Sequence, residues 1–361
     1  MFSRLSVIPA FAVVAALVGT VVLTGCNRGG TGSTPRISGG GATFVDPIMQ
    51  KWSTEYRAAK QTEIDYVKSG SGQGISKLTA KEIDFGCSDA PMNQTEADAA
   101  VKAGGEVFHI PVTMGAVAVA FNVPGVEKLT LSGKVVADIY LKKVTAWNDP
   151  AIKELNKDVA DKLPADKIIP IQRAEASGTT SIFTDYLSKV SPEFKSAVGP
   201  TKQMTALKDV TGQSGNDGIA GFVKNNKGAI GYVELSFAKK NGIGYAAVLN
   251  KAGKAVAPDT DTVTAAAESA MKVKQTEAPF SLHDLTYSLT DADGDKCYPI
   301  VGMSYALVYK TQPKDKGPVL VEFLKWVVGD GQKYAAELHY APLPAELSKR
   351  CADKLATAVF Q

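Results

Sequence analysis

Ile168-Ile169-Pro170-Ile171-Gln172-Arg173 runs directly into Ala174-Glu175-Ala176-Ser177-Gly178-Thr179-Thr180, and then into Ile182, Phe183, Tyr186 and Leu187. The first six residues read as a short buried strand, and the last four follow helical spacing. The segment between them is therefore a turn that opens a helix, with Ser177 suited to cap its first N–H groups. The same order of strand, small-residue turn and helix start recurs twice upstream. Gly39-Gly40-Gly41-Ala42-Thr43-Phe44-Val45-Asp46-Pro47 ends on a proline that fits a first helical turn, and Ser69-Gly70-Ser71-Gly72-Gln73-Gly74 leads into Ile75 and Leu78.

Working outward, further strands are expected at Glu63 to Val67, Ile83 to Cys87, Val107 to Val112, Ala116 to Phe121, Ala229 to Val233 and Ser304 to Tyr309. Helical spacing joins Ile48, Met49, Trp52 and Tyr56, and a long last helix is expected from about Val319 to Leu338. This alternation predicts an α/β fold on mostly parallel sheets. With 361 residues, 45% of them hydrophobic and 21% charged, the chain is long enough for two compact units.

The N-terminus reads differently. Arg4, an uncharged apolar run from Leu5 to about Val22, and Leu23-Thr24-Gly25-Cys26 resemble an export signal ending in a bacterial lipobox, so residues 1–25 are expected to be a lipoprotein signal peptide and Cys26 the lipidated mature terminus. A membrane-spanning anchor is the alternative reading of the same run. Residues 26–36, rich in Gly, Ser, Thr and Pro, are expected to form a flexible tether. Lys and Arg number 40 against 37 Asp and Glu, and there is no block of like charges, so nucleic-acid partners are not expected.

Three further cysteines lie at 87, 297 and 351. Cys87 sits in an apolar strand and is expected to be a buried small hydrophobe; Cys297 and Cys351 form a possible disulfide. The three histidines, His109, His283 and His339, stand in no ligand-spaced motif, so neither a metal site nor a histidine-based hydrolase is expected, and no cofactor is implied.

A helix N-terminus carries N–H groups without partners and a partial positive charge, which makes it a natural anion site. Neither Gly-x-x-x-x-Gly-Lys-Ser/Thr nor a strand-linked Gly-x-Gly-x-x-Gly is present, so a nucleotide site is not supported. Arg173, at a strand end four residues before Ser177, could grip an oxyanion with its guanidinium fork. A salt bridge to Glu175 is its plainer alternative. Asp89 follows a strand at the place where open α/β sheets bind ligands, although an Asp before Pro91 is often only a turn residue.

Six ordered motifs now bear on one family. Gly41-Ala42-Thr43-Phe44, Gly70-Ser71-Gly72, Asp84-Phe85-Gly86-Cys87-Ser88-Asp89-Ala90-Pro91, Arg173-x-Glu175-x-Ser177-Gly178-Thr179, Gly215-Asn216-Asp217-Gly218-Ile219-Ala220 and Gly228-Ala229-Ile230-Gly231-Tyr232-Val233 closely resemble the periplasmic phosphate-binding proteins of high-affinity phosphate ABC transporters, the PstS family. The similarity runs from about Ile37 to the C-terminus.

The resemblance implies a type II periplasmic binding-protein fold, two α/β lobes with two hinge crossings and a central cleft. Residues 37–112 plus 300–361 would form lobe I and residues 113–299 lobe II. It implies a non-enzymatic protein that binds inorganic phosphate and delivers it to the permease subunits and ATPase of an importer, as a monomer anchored at the bacterial cell envelope through Cys26. Carried over position by position, Thr43, the Phe44 N–H and Ser71 donate to phosphate, Asp89 accepts, and Arg173, Ser177, Gly178 and Thr179 donate from the other side. The family more often has Asp and Gly where this chain has Glu175 and Ala176, so Glu175 is expected to orient Arg173 at longer reach.

Overall fold

The computed structural model describes residues 34–361; the expected leader, Cys26 and most of the tether lie outside the described residues. The described residues begin with β1 (Arg36–Gly41), α1 (Asp46–Lys60), β2 (Glu63–Lys68), α2 (Ser71–Thr79), β3 (Phe85–Ser88) and α3 (Gln94–Gly104). β1 pairs in parallel with both β2 and β3, and each return passes through a helix, as parallel pairing requires. Then β4 (Val107–Phe121) runs for 15 residues.

Beyond β4 come β5 (Thr130–Ser132), α4 (Gly133–Tyr140), α5 (Pro150–Leu155), β6 (Ile169–Arg173), α6 (Gly178–Val190), α7 (Pro192–Ala197), β7 (Thr211–Gln213), α8 (Gly215–Asn225), β8 (Ala229–Glu234) and α9 (Leu235–Asn241). Three short strands, β9 (Gly244–Tyr245), β10 (Ala247–Leu249) and β11 (Ala255–Val256), precede α10 (Thr260–Ala270). The chain returns through β12 (Val301–Tyr309) and β13 (Thr311–Gln312), and ends with α11 (Gly317–Val328), α12 (Ala345–Leu355) and β14 (Val359–Phe360).

The main sheet has the order β2-β1-β3-β12-β4-β8-β6-β7. β4 belongs to both of its halves: residues 107–116 pair with β12 and residues 117–121 pair with β8. Two lobes follow from this, one on β2-β1-β3-β12 and one on β8-β6-β7, and the chain crosses between them in β4 and just before β12. Val117 N–H donates to the Ile300 carbonyl at 2.8 Å and the Tyr298 hydroxyl donates to the Val117 carbonyl at 2.9 Å, so the two crossings are hydrogen-bonded to each other.

Each lobe has an aromatic centre. Tyr56 packs edge-on to Phe323 with ring centroids 5.1 Å apart in the first, and Phe183 stacks on Tyr232 at 4.3 Å in the second. Such pairs contribute about 0.5–1.5 kcal/mol beyond their buried area.

Four expectations are corrected. The sheet is not mostly parallel, because β12 runs antiparallel to both β3 and β4, and β4 antiparallel to β8. The two strands expected at Val107 to Val112 and Ala116 to Phe121 are one, since Thr113, Met114 and Gly115 keep pairing with β12. The long last helix stops at Val328, where Gly329 leaves helical geometry (φ −107°, ψ −105°) and two 3₁₀ turns follow. Cys297 and Cys351 are not bonded: both thiols are free and buried. Cys297 points its Sγ at the Asp293 carbonyl, 3.2 Å away, and its own carbonyl accepts from Asn250 in the second lobe. Cys351 lies on α12, which packs on α11 and β4. Cys87 is fully buried in β3, as expected.

Candidate functional site

The three strand-turn-helix segments meet at one place between the lobes. α1, α2 and α6 each aim their first turn there, joined by a fourth, α8, whose first residues are Gly215 and Asn216. α1 and α2 have no side-chain cap, whereas the first two N–H groups of α8 go to side chains from outside the helix, Gly215 to Glu175 Oε1 and Asn216 to Thr43 Oγ1 at 3.2 Å. At α6 Ser177 takes the Thr180 N–H at 3.2 Å and leaves the earlier donors free of it.

Thr43, Phe44, Ser71, Asp89, Arg173, Ser177 and Thr179 are all buried. Ser71 is the first link across the gap: its Oγ accepts the Gly178 N–H at 3.0 Å and the Asp89 N–H at 3.3 Å, and lies 3.5 Å from Asp89 Oδ2. Gly178 has to be glycine here, because a Cβ would lie 2.6 Å from the Asp89 backbone nitrogen and Cβ. Gly41, at φ +130°, is equally constrained, since a Cβ would lie 2.2 Å from the Cys87 carbonyl.

Arg173 ends β6 with only 2% of its surface exposed. Its main-chain N–H donates to the Tyr232 hydroxyl at 3.0 Å, and the same hydroxyl lies 2.8 Å from Thr180 Oγ1, which fixes the strand end to α6. Nη1 donates to Thr179 Oγ1 at 3.3 Å; Nε donates to Glu175 Oε1 at 3.0 Å, and Nη2 bonds the same oxygen. Glu175 Oε1 also takes the Gly215 N–H at 3.0 Å. The longer Glu side chain thus holds Arg173 and the start of α8 together.

Asp89 lies between these donors. Ser304 Oγ donates to its Oδ1 at 2.8 Å. Burial pushes the carboxyl up to about 7, opposed by the Ser304 hydrogen bond and the nearby Arg173 charge. Ser304 reaches it because β12 shifts register between Ser304 and Tyr305, opposite Pro111, which has no N–H to give the ladder. The skipped Val112 carbonyl is taken by Gln332 Nε2 at 2.8 Å.

Two residues were missed by reading the sequence. Ser304 carries no local signal, being one hydroxyl in an apolar strand. Asn216 does have one, since it lies in the Gly215-Asn216-Asp217-Gly218 motif at a helix start. Its amide donates to Thr43 Oγ1 at 2.9 Å and lies 3.4 Å from Thr179 Oγ1, so it ties the two lobes' threonines together.

Further contacts bridge the lobes around this cluster. Gly72 N–H donates to the Ala176 carbonyl at 3.0 Å. Lys68 pairs with Asp46 of its own lobe at 3.1 Å and with Asp217 of the other at 2.6 Å. Lys202 pairs with Glu96, both largely buried. The Lys202 pair lines a separate cavity of about 860 Å³ beside Ala90, Pro91 and Ala176, which does not include Thr43, Ser71 or Arg173.

His109 and His283 stack with centroids 3.8 Å apart, which their spacing did not suggest. His109 Nε2 accepts the Met92 N–H at 3.1 Å and His283 Nε2 lies 2.7 Å from the Met92 carbonyl, so the pair braces the loop that follows Asp89. Burial holds both imidazoles below their usual range, His109 far below. No group of three or more metal-ligating side chains occurs among the described residues.

Residues 28–331 match the PBP superfamily domain. The phosphate-binding protein PstS of Xylella fastidiosa is 38% identical over 340 residues, covering 91% of this chain and 89% of the relative. The chain belongs to the PstS family of phosphate-binding proteins. PstS of Pasteurella multocida is 38% identical over 328 residues and covers 90% of each chain, and PstS of Methanocaldococcus jannaschii is 35% identical over 357 residues, covering 92% of this chain and 91% of the relative. This places the chain among solute-binding proteins rather than enzymes. Among solved structures, the high-affinity periplasmic phosphate-binding protein PfluDING, bound with phosphate, superposes with a TM-score of 0.71 at 17% identity, over 90% of this chain and 99% of that one. The phosphate-binding protein of Stenotrophomonas maltophilia gives 0.68 at 18%, over 88% and 93%. At these identities the two structures show the shared PstS fold, the two-lobed periplasmic binding-protein architecture.

Proposed function

We propose that this chain binds one inorganic phosphate in the buried cluster between its lobes and delivers it to the membrane permease of an ABC importer. Thr43, the Phe44 N–H and Ser71 donate from the first lobe; Arg173, Ser177, Gly178 and Thr179 donate from the second; Asp89 is the acceptor. Glu175 orients Arg173. Residues 37–112 with 300–361 and residues 113–299 are the two bodies that close over the ion, which is released when the permease draws them apart. The chain acts as a monomer, held at the envelope through a lipidated Cys26.

The observation that carries this reading is Asp89: one buried carboxyl set against Ser71 at the head of α2, Gly178 at the head of α6, the Ser304 hydroxyl and the Arg173 charge. Phosphate near neutral pH keeps a P–OH proton that a carboxylate can accept. Sulfate has none and would press bare oxygens against a buried negative charge. Equilibrium titration with phosphate, sulfate and arsenate tests it. Tight phosphate, weaker arsenate and no measurable sulfate binding are expected, and sulfate binding as tight as phosphate would sink the reading.

A further inference from the structure

We propose that Glu234 is a positioning residue for the anion site, acting from the hinge through Asn216 and Tyr340 on the Thr43–Phe44 turn, and that it acts as the neutral acid. Phosphate affinity is its readout, so the inference rests on the function proposed above in that respect.

Glu234 is the last residue of β8 and pairs with Val117, where β4 passes from one partner strand to the other. It is wholly buried. Two arms leave it, and both end on the same turn. Through the main chain, its N–H donates to Asn216 Oδ1 at 2.9 Å, and the Asn216 amide donates to Thr43 Oγ1. Through the side chain, Oε2 lies 3.1 Å from Tyr340 Oη, which lies 2.6 Å from the Phe44 carbonyl. Tyr340 belongs to the first lobe's C-terminal segment and Glu234 to the second lobe, so this arm spans the hinge.

Counting hydrogens assigns the protonation state. A phenol has one hydrogen, and the Phe44 carbonyl, at the shorter distance, has none to offer. Tyr340 therefore spends its hydrogen on Phe44; of the two groups that could offer it one in return, the Ser236 hydroxyl stands 3.5 Å away and the Glu234 carboxyl 3.1 Å, so the carboxyl is assigned as the donor. A protonated Oε2 can donate to Tyr340 and take the Ser236 N–H, at 2.9 Å, on its in-plane lone pair, with the Ser236 hydroxyl beside it. Oε1 has no partner among the described residues. That is tolerable for the carbonyl oxygen of an acid and costly for half of a carboxylate. The titratable groups facing it are Tyr340 and, farther off, Asp89; neither is a cation, and burial is the main cause that lifts the carboxyl to about 8. A neutral brace fixes the turn without putting a second negative charge beside an anion.

Phosphate titration of the purified full-length protein and its E234Q, E234L and Y340F variants at pH 6.5, 7.5 and 9 tests this. At pH 6.5, E234Q is expected within about threefold of wild type, with E234L and Y340F weaker by about tenfold or more. Between pH 6.5 and 9 wild type should lose about tenfold relative to E234Q, because only the acid can ionise. Y340F binding like wild type, E234Q as weak as E234L, or parallel pH profiles for wild type and E234Q would each overturn the proposal. A wild type that binds no phosphate would overturn the proposed function instead. The brace is then read from the ligand-free melting temperature, which should fall more for wild type than for E234Q over the same pH range, and equal falls would overturn it.

Discussion

At the scale of single residues, the site sets a carboxyl where it is expensive to ionise and surrounds it with donors. Asp89 is raised above its unfolded value, so the folded chain holds its proton more tightly than the unfolded chain. Stability from this source is present at acid pH and is lost as pH rises through about 7. The ligand-free protein should therefore melt at lower temperature at pH 8.5 than at pH 5.5, and Asp89→Asn should flatten that slope in a calorimetric pH series. The same proton matters for selectivity. Below about pH 6 the protonated Asp89 can donate to a proton-free anion, so sulfate binding should rise on acidification and rise at all pH values in Asp89→Asn, as titration calorimetry would show. Gly178→Ala pushes a methyl group into Asp89, and a loss of phosphate affinity of roughly tenfold or more is expected from such overpacking. Unchanged affinity would mean that Gly178 does not meet Asp89 in the bound form.

At the scale of elements, the strand-turn-helix unit read from Ile168 to Leu187 is the unit that builds the site, and it was legible because period-2 and period-3.6 patterns meet at a small-residue turn. Legible by the same logic were α1, α2 and the placing of Asp89 directly after β3. What was not legible depends on contacts far apart in sequence. The direction of β12 cannot be read from Ser304 to Tyr309, since a strand buried on both faces has the same composition whichever way it runs. Ser304 itself is aimed by a register shift opposite Pro111, a property of two strands together. The expected Cys297–Cys351 link failed for the same reason: spacing says nothing about which lobe each residue joins. One element-level prediction concerns Glu175, whose single oxygen holds both Arg173 and the N–H of Gly215 at the head of α8. Glu175→Ala should weaken phosphate binding by about tenfold, more than a lone exposed ion pair would explain, because it releases two site elements at once. Glu175→Asp, one methylene shorter, should fall between Glu175→Ala and wild type in the same titration, because it can keep the Arg173 pair but reaches Gly215 less well.

At the scale of the whole molecule, two ion pairs bridge the lobes: Lys68 with Asp217, and Lys202 with Glu96. The first pair is about half exposed and should contribute little, whereas the second is largely buried and its loss should matter more. Lys202→Met is expected to speed phosphate release and to shift ligand-free scattering profiles toward a more open shape; Lys68→Met should do so only weakly. Saturating phosphate should raise the unfolding free energy by about 2.7 kcal/mol at a hundred times the dissociation constant, seen as a concentration-dependent melting temperature. The connection between the lobes has a mechanical meaning of its own. β4 crosses without a break, and its neighbour before β12 is bonded to it at Val117, Tyr298 and Ile300. Such a ribbon resists stretching and sliding but bends across its narrow direction, so the closure proposed above would follow a single arc. Each closure would then bring the same atoms back to the same places, and capture would need no search through alternative dockings.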